Sequence, residues 1–157
     1  MVASYWGAER KYHHTAPVNA IYGLREALRI IAEEGLEARF ARHLMNHRAL
    51  VAGIEAMGLS MYVPKAERLP TLNTIRIPEG ADDAKVRKAL LGDFGIDIGA
   101  GLGALAGKVW RVGLMGHSST RRNVILFLSA LTVILKAQGV KVKPEAVEAA
   151  SAAYSGA

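Results

Sequence analysis

The sequence contains no cysteine, which excludes disulfides and thiolate-ligated metals and leaves the redox compartment unreadable. It also lacks a long hydrophobic run. The most apolar stretch, residues 124–135, is interrupted by Ser129 and Thr132. It is too short to cross a bilayer and reads as a buried helix, so no membrane association is expected. The opening residues have no basic region followed by an apolar core, and a signal peptide is not expected. Aromatic residues are scarce at 6%, and the formal excess of +6 is spread along the chain without an aromatic-interleaved basic patch. Nucleic-acid binding is therefore not expected, whereas an acidic small substrate would suit the charge.

Several catalytic signatures are missing as well. There is no H-E-x-x-H, Walker A, nucleophile elbow or dinucleotide fingerprint. His13 and His14 are adjacent and point in different directions, which makes a poor metal grip. His43 and His47 are four apart on one helical face but lack an acidic third ligand, so they are expected to be surface histidines and no metal site is assigned. Ser118 and Ser119 lie beside His117, yet neighbours in sequence do not make a triad.

What is present is the length of one domain, 157 residues, with 51% apolar and 22% charged residues. That is globular composition with enough material for a core. Pro17 suits the first turn of a helix, along which Ile21, Leu24, Leu28 and Ile31 recur at helical spacing. A longer helix is predicted over residues 36–57, spanning roughly 30 Å. Its Arg39, Arg42, His43, His47 and Arg48 read as a solvated basic face, and Gly58 closes it. Strands are predicted at 59–63, 72–77, 96–98 and 108–112. Asp82 or Asp83 is expected to cap a helix carrying Val86, Leu90 and Leu91 inward. A helix over 121–137, capped from the Ser118–Thr120 segment and ended by Gly139, is expected to bury Leu126, Ala130, Val133 and Ile134. Pro144 opens a last, alanine-rich helix expected to fray. The predicted class is α/β in the α+β two-layer sense: about four short antiparallel or mixed strands covered by helices.

The chemistry concentrates between Gly99 and Arg122. Glycines at 99, 101 and 103 mark a loop, Lys108–Val112 is a short strand, and a Gly-rich turn leads to the next helix. Arg111, at the end of that strand, is placed to grip a carboxylate or phosphate through its planar fork, or to pair with a surface acid.

Together these motifs resemble a known family. Tyr12-His13-His14-Thr15-Ala16-Pro17, Leu24-Arg25-Glu26-Ala27-Leu28, Glu34-Gly35-Leu36-Glu37, Leu69-Pro70-Thr71, Gly101-Leu102-Gly103 and Gly107 through Gly116 lie in one colinear run from about Lys11 to about Leu135. They are similar to the C-terminal part of class V pyridoxal-phosphate aminotransferases, in the alanine–glyoxylate and serine–pyruvate group. The resemblance implies the small domain of a fold-type I enzyme, dimeric, with sites at the subunit boundary. It implies that Arg111 binds the substrate α-carboxylate, and that Tyr12 and Thr15 reach the cofactor phosphate of the other subunit. His13 and His14 fall in the same motif as packing or interface residues.

The family's cofactor domain precedes this region and has no counterpart in the chain. The Schiff-base lysine and the aspartate on the pyridine nitrogen belong to it, and no lysine here stands in a matching context. The expectation is an aminotransferase fragment, inactive alone, from a parent that transfers an amino group from alanine or serine to a 2-oxo acid such as glyoxylate. Pyridoxal phosphate belongs to that parent and is expected to bind this chain weakly or not at all. The alternatives are a subunit of a split enzyme and a dimerisation domain, so the partner is a second copy or a large-domain chain. The expected division is an arm at 1–16, the small domain with its leading helix at 17–139 and an alanine-rich tail at 140–157; a cytoplasmic location is expected.

Overall fold

The computed structural model describes residues 14–156 together with Ala8, so Tyr12 and His13 lie outside the described residues. The chain divides into two compact units, Met1–Arg39 and Phe40–Ala157. In the first, α1 (Val18–Glu34) starts directly after Pro17 and ends where Gly35 takes φ +80° and donates to the Ile31 carbonyl. No residue of α1 is buried. Its polar side carries Arg29 paired with Glu26 and Glu33, and Glu34 pairs with Arg39 at 2.7 Å.

From Gly35 the chain enters α2 (Leu36–Ala56), which belongs to the larger unit from Phe40 onward. That unit holds β1 (Leu72–Arg76), α3 (Asp83–Phe94), β2 (Gly99–Ala100), β3 (Val109–Gly113), α4 (Arg121–Ala137) and α5 (Ala146–Ser155). The sheet is antiparallel, in the order β1-β3-β2. Cα partners share a face, so Asn73 and Ile75 stand with Val112 and Trp110 on one side, while Thr74 and Arg76 stand with Arg111 and Val109 on the other. Asn73, Ile75, Trp110 and Val112 are all buried.

The described residues form three strands where about four are expected. Residues 59–63 are reduced to a bridge between Met61 and Ile75, because only the Tyr62 N–H and the Ser60 carbonyl reach β1 before Pro64 turns the chain. Ile96–Ile98 leads into β2 without pairing. The caps follow expectation. Asp82 accepts from the Lys85 N–H, Thr120 from the Asn123 N–H, and Gly58 and Gly139 take positive φ past the ends of α2 and α4.

Helix α4 carries the largest apolar stripe: Val124, Phe127, Leu128, Leu131, Ile134 and Leu135 are buried with Ala130. Leu126 and Val133, expected inside, are exposed, since the stripe turns through 124/127/128/131 and leaves them at its margins. Where α2 crosses α4, Gly53 has no room for a side chain. A Cβ there would lie 2.4 Å from Leu128 Cδ1 and 2.9 Å from the Ala146 carbonyl oxygen. Helix α5 packs against α4, with Ala146 and Ala150 buried.

Candidate functional site

Arg111 is the centre of the site. Its neighbours in the sheet are Thr74 on one side and Gly99 on the other. Its Nε–H donates to the Ala100 carbonyl at 2.7 Å. The guanidinium lies over Gly99, so close that a Cβ at that position would stand 3.0 Å from Nη2 and 3.3 Å from Cζ and Nε. Arg111 is half-buried, and among the described residues its Nη groups make no hydrogen bond. Held at Nε with its terminal nitrogens uncommitted, the planar fork can take a carboxylate in the bidentate manner.

The glycines around it have local causes. Gly101 donates to the Val109 carbonyl, and a Cβ on it would lie 1.9 Å from the Leu105 carbonyl oxygen, because residues 101–105 fold back tightly. This return covers Val109, which is fully buried although it shares a face with Arg111. On that face Arg76 stacks over the Tyr62 ring at 4.5 Å from its centroid. A groove of about 250 Å³ beside the β3 exit, edged by Asp97, Ser118 and Asn123, does not include Arg111.

On the other side, the sheet is tied down by polar side chains. The Trp110 indole N–H donates to Asp83 Oδ1 at 2.9 Å, and Arg87 donates to both oxygens of the same carboxylate. Arg87 holds the Asp83 carboxyl below the usual carboxylate range.

The basic face of α2 is corrected by the structure: His43 and His47 are buried. His43 Nε2 accepts the Gly116 N–H at 3.0 Å, which puts its proton on Nδ1. Arg42 Nη1 donates to the carbonyls of Gly116 and Ser119 at 3.0 and 2.6 Å. Asn46 donates to Ser119 Oγ and accepts from the Tyr154 hydroxyl. His47 Nδ1 meets Asn73 Oδ1 at 2.6 Å, and Asn73 Nδ2 faces the carbonyls of Pro70 and Val112. These residues satisfy the backbone where β3 leaves the sheet, a task that the helical charge pattern mimics as a solvated face. Among the described residues no group of three or more His, Asp or Glu could hold a metal ion.

The structure thus brings Arg111 together with Gly99 and Ala100. Thr15 is exposed just before α1, in the other compact unit, and Tyr12 lies outside the described residues. Sequence reasoning missed Gly99 and the Ala100 carbonyl as partners of the arginine. The available signal was a glycine inside a strand, which marks a close approach. The described residues offer the Arg111 fork to an anion but no buried lysine for a covalently held cofactor, since every lysine among them is exposed.

The family model of class V aminotransferases matches residues 2–126. The (S)-ureidoglycine–glyoxylate transaminase of Bacillus subtilis is 41% identical over 154 residues, 98% of this chain and 37% of the relative. The crystal structure of ureidoglycine–glyoxylate aminotransferase from Bacillus subtilis superposes with a TM-score of 0.92 at 40% identity, covering 98% of this chain and 40% of that one. Alanine–glyoxylate aminotransferase from Nostoc sp. gives a TM-score of 0.80 at 51% identity, covering 85% of this chain and 36% of that one. The chain therefore spans well under half the length of the relatives it matches. A continuous family match across most of the sequence, and a sheet and helices that superpose on solved members, place this chain in the class V aminotransferase family.

Proposed function

We propose that this chain is the carboxylate-binding C-terminal part of a pyridoxal-phosphate aminotransferase that moves an amino group from a small amino acid, alanine or serine, to a 2-oxo acid such as glyoxylate. The observation that carries this reading is the Arg111 guanidinium, held by the Ala100 carbonyl with its Nη groups uncommitted. A planar grip fixes both the position and the plane of an α-carboxylate, which is the orientation that amino-group transfer requires. Glyoxylate stands in the names of the three relatives given above, which supports the acceptor class. In this reading Tyr12 and Thr15 donate to the cofactor phosphate of a second subunit. The cofactor supplies the electron sink when bound in the parent, and the Schiff-base lysine comes from a part of the parent with no counterpart here. The chain does not transaminate alone.

The face of α1 favours a partner. Ile21, Tyr22, Leu24 and Leu28 are 52, 67, 60 and 56% exposed on one helix, a concentration that meets another polypeptide in an assembled enzyme. A large-domain chain or a second copy would cover it.

The test has two arms. The purified chain is titrated with pyridoxal phosphate and reduced with borohydride, and labelled lysines are located by mass. Only scattered surface labelling is expected; stoichiometric labelling of one lysine overturns the claim of inactivity alone. The chain is then combined with the cofactor domain of a relative and assayed with alanine and glyoxylate. Activity that disappears in Arg111→Ala supports the assignment, and activity indifferent to that change refutes it.

A further inference from the structure

Resting on the carboxylate reading of Arg111, we infer that Gly99 is a positioning residue: its bare backbone is the seat on which the guanidinium lies, and the adjoining Ala100 carbonyl is the latch that fixes its angle. Gly99 is not demanded by the backbone, because its φ is not in the left-handed region. Nor does it face the core. The atoms nearest a Cβ at this position are Nη2, Cζ and Nε of Arg111, at 3.0, 3.3 and 3.3 Å. The glycine therefore answers to the arginine and not to the fold.

A methyl group here would meet the end of a flexible side chain. The guanidinium would give way by a few tenths of an ångström, and the protein would lose no packing. The same displacement breaks the alignment of Nε–H with the Ala100 carbonyl, now 2.7 Å, and turns the Nη pair away from its present plane. A bidentate grip depends on that plane, so the substitution costs carboxylate affinity by about three- to tenfold. Two residues with no functional side chain thus set the reach of the one that has it.

The test uses the nitrogen-15-labelled full chain. Arg111→Lys assigns the Arg111 Nε–H resonance by removing it. In the unsubstituted chain that resonance is expected to persist at neutral pH, protected by the Ala100 carbonyl, and to move saturably with pyruvate but not with acetone. In Gly99→Ala it loses protection, the pyruvate midpoint rises about three- to tenfold, and the thermal midpoint does not fall. An unchanged resonance and midpoint in Gly99→Ala overturn the inference, as does a thermal midpoint that drops in step with affinity. If pyruvate moves nothing in the unsubstituted chain, the carboxylate reading has failed by itself. The resonance of Gly99→Ala then decides the latch alone, its loss supporting the seat and its retention overturning it.

Discussion

Helices α1 and α4 have the same length, 17 residues, and both are amphipathic, yet they stand at opposite extremes of burial. In α4 the apolar stripe is covered from Val124 to Leu135. In α1 no residue is buried, and the ordered features are ion pairs on its polar side. Sequence periodicity alone does not separate the two. The difference teaches that helical apolar periodicity marks a face without saying what covers it: that of α4 is spent within the fold, and that of α1 is exposed among the described residues.

The sharpest way to break this comparison is to remove one leucine from each helix. Leu131→Ala, in a fully buried position, is expected to cost about 2–5 kcal/mol, read as a lower urea midpoint. Leu24→Ala in α1 is expected to stay within about 0.5 kcal/mol in the chain alone. Equal losses would mean that α1 is covered after all. The second effect in size falls at the crossing of α2 and α4. Gly53→Ala gains roughly 1 kcal/mol of helix propensity but drives a methyl group against Leu128 and the Ala146 carbonyl. A net loss of about 1–3 kcal/mol is expected in thermal or urea unfolding. A stabilised variant would show that the crossing relaxes at no cost.

What was legible in the sequence was what short-range chemistry determines. Asp82 and Thr120 announce helix starts, and Gly58 and Gly139 announce ends, because caps depend on residues a few positions apart. Arg111 could be singled out from its place between a glycine loop and a helix entrance. The failures all involve long-range partners. His43 and His47 looked solvated because their partners, Gly116 and Asn73, lie far along the chain. Leu126 and Val133 looked buried because apolar content does not tell which edge of a stripe the fold covers. The expected strand at 59–63 has suitable residues, but a strand exists only through its partner, and the chain turns away after one bridge. Gly99 was visible as part of a loop; that it serves an arginine twelve positions later depends on sheet register.

A smaller effect tests how the covered region is closed at its edge. Tyr154 donates to Asn46 and lies under the Arg121 guanidinium, 5.1 Å from the ring centroid. Burial pushes its phenol up to about 12, Arg121 opposing. A raised folded value means that the phenol contributes fully below its unfolded pKa, about 10, and that this contribution is lost as pH rises toward 12. Tyr154→Phe is expected to cost about 0.5–1.5 kcal/mol at neutral pH and to flatten the alkaline limb of the stability profile. An unchanged alkaline limb would mean that the hydroxyl is solvated in the native state.

The smallest effect sets the two regions against each other once more, at the acid end. Asp83 and Glu26 are both carboxyls held below their ordinary range by an arginine, Arg87 and Arg29 respectively. In each case the ionised form is favoured in the folded chain. Stability is therefore present above the unfolded pKa, about 4, and lost as pH falls through the folded value. Their surroundings differ. Asp83 also accepts the indole N–H of the buried Trp110, so its charge is coupled to the sheet. Glu26 sits on an exposed helix face where salt screens the pair. Asp83→Asn is accordingly expected to flatten the acid limb both at low salt and at high salt. Glu26→Gln is expected to change it at low salt only. If added salt removed the Asp83 effect as well, the Trp110 bond would not anchor that carboxylate, and the polar edges of the two regions would be equivalent despite their different burial.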